Sequence, residues 1–229
     1  MGNVLSIRSG PNPRELPNYS LSEAAAYLCI PRSTVSTWVR GQGQCKTVIA
    51  LPDPRRPRLS FLNLVELHVL SAIRKHGHPM PNVCRALAYL EKQLGVKRPL
   101  CTQQFYSGGV SLFIEHLCTL VDTSRGGRTA IREAVQAYLT RIEYGQDGIA
   151  SRLYPFTRGS AIDDPRSVMF DPAILFGRLV IADTRIPTEV VADRYCAGET
   201  TEELATDFRV SREKIDEAIR CELHRTGAA

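Results

Sequence analysis

The 229-residue chain has no apolar run long enough to cross a bilayer, which removes a membrane-spanning role. Its opening, MGNVLSIRSGPNPRELPN, has no apolar leader core, so no secretory signal is expected. The seven cysteines (Cys29, Cys45, Cys84, Cys101, Cys118, Cys196 and Cys221) are odd in number and contain no C-x-x-C pair. A zinc site is therefore not expected, and scattered reduced thiols in the cytoplasm are. There is no P-loop, no G-x-S-x-G elbow and no H-E-x-x-H helix. Two sets of residues tempt a metal reading. His76 and His78 flank Gly77 at a helix end, where partners for the helix dipole are the simpler use. Asp163 and Asp164, with Asp171, have the chemistry to hold Mg²⁺ but sit in a polar stretch where acids are usually solvated. The expectation is a non-catalytic protein with no cofactor and no metal.

What the chain does have is a divided charge. Residues 1–159 hold 20 Lys and Arg against 10 Asp and Glu, a net of +10; residues 160–229 hold 9 against 14, a net of −5. Two different partners would account for the split, as would two independently solvated surfaces.

Residues 1–18, with Gly10, Pro11, Pro13 and Pro17, read as a flexible arm. Ser20 and Glu23 then form a capping box ahead of an apolar stripe of Leu21, Ala24, Ala25 and Leu28. A tight turn at Cys29-Ile30-Pro31 leads into a second helix from Arg32 to Val39, stopped at Gly41, with Val35, Trp38 and Val39 on one face. Two short helices around a tight turn are the helix-turn-helix pattern. Arg32, Ser33, Thr34, Ser36, Thr37 and Arg40 are expected to point outwards, as arginines and small hydroxyls suited to phosphates and base edges. A helical hairpin that only packs would share the spacing. Next, Lys46–Ala50 reads as a strand, PDPRRPR as a rigid basic turn, and Leu59–Phe61 as a returning strand. This makes a wing carrying Lys46, Arg55, Arg56 and Arg58 towards a DNA backbone or minor groove, or else a solvated charged loop. Helices over 62–76 and 79–94 follow. Residues 19–94 resemble MerR-type DNA-binding domains, which implies a winged, dimeric reader of double-stranded DNA. The chain lacks that family's C-terminal dimerisation coil and metal-binding cysteines.

Residues 96–160 read as a small α+β bridging and dimerising layer. It has a hairpin across Gly108-Gly109, a third strand at HLCTLVDT, a helix carrying Ile131, Val135, Tyr138, Leu139 and Ile142, and a hairpin about Gly145–Gly148. Residues 157–168 read as a polar linker.

The last unit repeats the first hairpin at an offset of 180 positions: Leu28 falls on Phe208, Ile30 on Val210, Val35 on Ile215 and Val39 on Ile219. Its second helix, however, shows Glu213, Lys214, Asp216 and Glu217, which would repel phosphate. Ahead of it come a short strand at Val180-Ile181, a turn at Thr184-Arg185-Ile186-Pro187, a helix over Thr188–Cys196 and a cap at Thr200 or Thr201. Gly177, Thr184, Arg185, Ile186, Pro187, Ala197, Gly198 and Glu203 match a small bacterial domain of unknown function common in antitoxins. Leu179 and Asp183 depart from its usual proline and glycine, and a positive φ is open to Asp183 at moderate cost.

The whole resembles a VapB-type antitoxin with a PIN-like ribonuclease toxin as partner. The resemblance implies operator DNA binding, autoregulation, and a homodimer or higher toxin–antitoxin assembly. Under it, the toxin-binding candidates are Arg178, Arg185, Glu213, Asp216, Glu217, Arg220 and Arg225. The acids would cover a basic surface and an arginine would enter the toxin's acidic pocket; Arg185 also has the simpler use of bracing its own turn. The expected fold is mainly α with small β elements (α+β). It comprises a winged helix-turn-helix over 19–95, the middle layer over 96–160, and a three-helix domain over 161–229. The competing reading is a stand-alone MerR-like regulator with a ligand-sensing pocket in residues 96–160.

Overall fold

The computed structural model describes residues 10–41, 47–75, 77–120, 125–158 and 164–227, with the side chains of Arg125 and of residues 224–227 outside the description. The fold is α+β, with nine α-helices and two small antiparallel sheets among the described residues.

The capping box forms as its residue types require. Ser20 Oγ accepts from the Glu23 N–H at 3.1 Å, and the Glu23 carboxylate accepts from the Ser20 N–H at 2.7 Å. It starts α1 (Leu21–Tyr27), and α2 (Arg32–Arg40) follows across the turn. The expected two-stranded wing is different. Strand β2 (Arg58–Leu59) pairs with β1 (Tyr19–Ser20), not with residues 47–50. The reason lies at the end of α2, whose Trp38 carbonyl accepts from both Val48 and Ile49 N–H, at 2.9 and 3.1 Å. Those residues cap a helix, so they are not free to form a ladder.

Helix α3 (Phe61–Lys75) is buried over Phe61–Ile73, polar residues included. Helix α6 (Arg125–Leu139) packs along it, and helix α5 (Val110–Leu120) joins α6 to helix α4 (Met80–Leu94). The expected hairpin across Gly108-Gly109 and the strand after it are helical instead: Phe105–Gly109 form a π-turn that runs into α5. A Gly-Gly pair reads locally as a turn. Here Gly109 is needed for closeness, since a Cβ would lie 3.0 Å from the Phe105 ring. Phe105, Gly109, Phe113 and Leu117 recur every four residues and are all buried, a helical period that crosses the glycines.

The hairpin about Gly145–Gly148 is present as β3 (Ile142–Tyr144) and β4 (Ala150–Leu153). Strand β4 then pairs with β5 (Val168–Phe170), and β5 with β6 (Leu179–Ile181), so one four-stranded antiparallel sheet runs across residue 160. The polar stretch expected as a linker is internally bonded where it is described. Asp164 is buried and accepts from Thr157 N–H (3.0 Å), Thr157 Oγ1 (2.9 Å) and Arg158 N–H (2.7 Å). Arg141, 4% exposed, donates to the carbonyls of Tyr154 (3.0 Å), Pro155 (3.1 Å), Asp164 (2.6 Å) and Pro165 (2.9 Å). Its guanidinium also lies over the Phe156 ring, 4.9 Å from the centroid.

Helices α7 (Thr188–Cys196), α8 (Thr201–Phe208) and α9 (Arg212–Gly227) complete the chain. Helix α9 packs on α7 and α8, and also on α1. The Phe170 ring takes edge-on contacts from Tyr19 and Tyr27, at 5.7 and 5.3 Å between centroids. The Tyr19 hydroxyl donates to the Gly177 carbonyl at 2.5 Å. Gly177 has φ +80°, and a Cβ there would overlap that hydroxyl, so only glycine fits. The main core cluster accordingly extends from Tyr19 to Ile219.

Arg141→Lys should cost about 3 kcal/mol, because an ammonium has neither the reach nor the planar fork to serve four fixed carbonyls. A thermal unfolding midpoint equal to the parent's would refute the role given to this side chain.

Two buried groups on α3 oppose each other in pH dependence. Burial drives the His68 imidazole from its ordinary 6.5 down to about 3, although contact with the Tyr138 carbonyl partly lifts it. The folded chain then binds this proton more weakly than the unfolded one, so its stability contribution is complete above pH 6.5 and is lost as pH falls towards 3. Burial lifts the Glu66 carboxyl from 4.5 to about 7, partly offset by Arg98 and Asn63. The folded chain binds that proton more tightly, so stability declines as pH rises from 4.5 to about 7. In denaturant titrations, His68→Gln should flatten the acid limb and Glu66→Gln the decline towards neutrality; profiles parallel to the parent's would contradict both assignments.

Candidate nucleic-acid and protein interfaces

Helix α2 turns one face into the core through Val35, Trp38 and Val39. Arg32, Ser33 and Arg40 are exposed, and Ser36 and Thr37 are half-buried. Thr37 Oγ1 bonds back to the Ser33 carbonyl at 2.9 Å. Thr34 departs from expectation: it is buried, and its hydroxyl accepts from Arg74 Nη1, so it braces α2 against α3. The basic turn is ordered by Asp53, whose carboxylate accepts from Arg55 N–H at 2.9 Å and whose carbonyl accepts from Arg56 N–H at 3.1 Å. Arg55, Arg56 and Arg58 are exposed, and Arg58 Nη2 donates to the Asn18 carbonyl at 3.1 Å. Lys46 lies outside the described residues. Arg32, Arg40, Arg55, Arg56 and Arg58 have no carboxylate partner among the described residues.

The hairpin α8–α9 repeats α1–α2 down to its local devices. Thr200 and Glu203 form the capping box where Ser20 and Glu23 do. Arg209 takes a left-handed φ of 55° where Cys29 takes 51°. Val210 N–H donates to the Ala205 carbonyl (3.1 Å) where Ile30 N–H donates to Ala25 (2.9 Å). The charge handling differs. Arg194 pairs with Glu199 and Asp207, each at 2.5 Å, and Arg212 with Glu202 (2.6 Å) and Asp216 (3.7 Å). Arg178 faces Glu189 at 3.8 Å.

Glu217 does not belong to the exposed acids. It is 1% exposed, 2.5 Å from Arg158 and 3.5 Å from Arg220, so it anchors α9 to the segment after β4. Glu213 is exposed and Asp216 is partly so. Arg185 is exposed and braces nothing among the described residues. Its turn is held instead by Thr184, whose Oγ1 donates to the Ile181 carbonyl (2.8 Å) and accepts from Ile186 N–H (3.1 Å). Asp183 takes a positive φ, 65°, and Lys214 secures it from α9 by reaching the Ala182 carbonyl at 2.9 Å. The Arg225 side chain lies outside the described residues.

Asp216 and Arg220 come together with Tyr195, Thr201, Ile219 and Leu223 around an open groove of about 400 Å³ between α7 and α9. Tyr195 and Leu223 are 41% and 48% exposed, which neither motif nor spacing announced. Tyr195 follows the buried Val191 by one turn of α7, and Leu223 follows the buried Ile219 by one turn of α9, so the apolar stripes simply run past the core.

Cys84 is disulfide-bonded, against the expectation of reduced thiols throughout; Cys45 lies outside the described residues. Asp163 and His76 lie outside them too. Asp164 is committed to backbone groups, and Asp171 to Arg152 at 2.9 Å. Among the described residues no group of three or more His, Cys, Asp or Glu is placed to hold a metal, and no helix is long and apolar enough to cross a membrane.

Residues 168–220 match the family "Protein of unknown function (DUF433)". The chain is 28% identical over 230 residues to a Mycobacterium tuberculosis protein named "Putative antitoxin VapB45", covering 90% of this chain and 93% of that one. It also superposes on the crystal structure of Rv2018 from Mycobacterium tuberculosis with a TM-score of 0.71 and 27% identity, covering 89% and 98% of the two chains. The likeness covers about nine-tenths of the chain, and on it the chain is antitoxin-like.

Proposed function

We propose that the chain is the antitoxin of a toxin–antitoxin pair: a non-catalytic protein that binds operator DNA through α2 and the basic turn, and a protein toxin through the α7–α9 unit. The observation that carries this reading is the opposite treatment of arginine in two hairpins of the same build. Around α2, Arg32, Arg40, Arg55 and Arg56 stand exposed and unpaired by carboxylates among the described residues. Around α8–α9, Arg194 and Arg212 are each held by two acids, leaving the excess acid outward. A phosphate backbone suits the first surface, and a basic protein surface suits the second. By the resemblance to VapB-type proteins, that partner is a PIN-like ribonuclease. The exposed Tyr195 and Leu223 give the acidic surface an apolar centre, the arrangement of an interface core with a charged rim.

Arg55→Ala with Arg56→Ala should weaken binding to the DNA upstream of the gene. It should reduce the slope of log affinity against log salt by about 2, one for each phosphate that is no longer neutralised. An unchanged slope in fluorescence titrations would remove the basic turn from the DNA surface.

Leu223→Asp should abolish co-purification with the product of the neighbouring gene, while Arg55→Ala/Arg56→Ala leaves that complex intact. Because Leu223 is 48% exposed, the variant should keep its parent's circular dichroism and DNA binding. Retention of the complex by Leu223→Asp would move the protein interface elsewhere.

A further inference from the structure

Three successive residues take left-handed backbone: Leu175 (φ 46°), Phe176 (φ 57°) and Gly177 (φ 80°). For the two residues with side chains this is unfavourable, and such backbone persists only where its surroundings over-determine it. They do. The Phe176 carbonyl accepts from Asn18 Nδ2 at 2.7 Å, and the Gly177 carbonyl from the Tyr19 hydroxyl at 2.5 Å. Gly177 N–H donates to the Ile174 carbonyl at 2.8 Å. What this fixed loop holds into solvent is Phe176, 82% exposed, with Leu175 at 41% beside it. No packing among the described residues explains a strained backbone that displays an aromatic ring.

Its neighbours decide what meets the ring. Arg58 and Arg178 line the same cleft as Phe176, and Asn18 joins Arg58 to Phe176 directly, accepting from one and donating to the carbonyl of the other. Arg58 directly follows the turn that carries Arg55 and Arg56. The carboxylates of the cleft are occupied: Glu23 caps α1, Glu222 accepts from Thr188 Oγ1 at 2.6 Å, and Glu189 faces Arg178.

We propose that Phe176, supported by Leu175, is a wedge for duplex DNA. It inserts at a base step on the edge of the surface formed by α2 and the arginine turn, with Arg58 on a flanking phosphate. Apolar wedges beside arginines unstack and bend DNA from the minor groove, and a stiff mount is what transmits the bend. The proposal rests on the DNA reading above.

The test uses a duplex of about 30 base pairs from upstream of the gene, labelled at both ends for energy transfer. The parent chain brings the ends together. Phe176→Ala binds on the order of tenfold more weakly, leaves the duplex straighter and keeps the parent's salt slope, and Phe176→Tyr restores affinity and bend. Equal affinity and bend for Phe176→Ala and the parent overturns the wedge and leaves the DNA reading standing. Loss of the neighbouring gene's product, with DNA affinity and bend intact, assigns Phe176 to a protein contact and also overturns the wedge. A parent chain that binds no duplex overturns both.

Discussion

The architecture turns on one buried guanidinium. Arg141 sits where α6 ends and β3 begins, and its donors reach the strand exit at Tyr154–Pro155 and the segment Asp164–Pro165. Those carbonyls belong to stretches without a ladder of their own, and buried carbonyls must find donors somewhere. Arginine serves several at once from a planar fork. The Asp164 carboxylate, 3.8 Å away, balances the charge while its own oxygens take backbone N–H groups. With this joint made, β5 can lie against β4, and one sheet carries the chain from the helical middle into the α7–α9 unit. The third side of that unit is then defined by Phe170 against Tyr19 and Tyr27.

Much of this was legible in residue types and spacing. Caps and turn residues act within four positions, so Ser20 with Glu23, Thr200 as a cap and Gly41 as a stop could be read directly. The apolar framework repeated at 180 positions was equally visible, and its turn geometry follows it. What escaped depended on distant contacts. Nothing local says that Val48 and Ile49 will cap α2 or that β2 will find Tyr19 and Ser20. The Gly108-Gly109 pair has the local chemistry of a turn, but the four-residue apolar period that crosses it makes the segment helical. Thr34 and Glu217 were placed outside because polar residues usually are. Each is buried by a partner remote in sequence: Arg74 for one, Arg158 for the other.

Those two exceptions bear on why two hairpins of one build present such different surfaces. In α2 the inward polar residue is a neutral hydroxyl, and its partner Arg74 comes from α3 behind it, so the arginines in front stay free. In α9 the inward residue is an acid that draws in Arg158, while Asp216 and Glu202 draw in Arg212. The second hairpin thus holds Arg158 and Arg212 in ion pairs, and the acid left over follows from composition, since residues 160–229 hold 14 acids against 9 basic residues.

Helix α1 links the two surfaces physically. It packs on α2 through the first hairpin and on α9 across the junction, and Asn18 and Tyr19, just ahead of it, hold the carbonyls of Phe176 and Gly177. A shift of the α7–α9 unit relative to the first hairpin would have to break the Tyr19–Gly177 hydrogen bond and slide Phe170 between two tyrosine rings. It would also leave the strained loop without the bonds that maintain it. Close-packed joints of this kind switch between discrete arrangements more readily than they deform smoothly. The basic and acidic surfaces are therefore presented as one body, with their spacing fixed by a junction that tolerates only glycine at position 177.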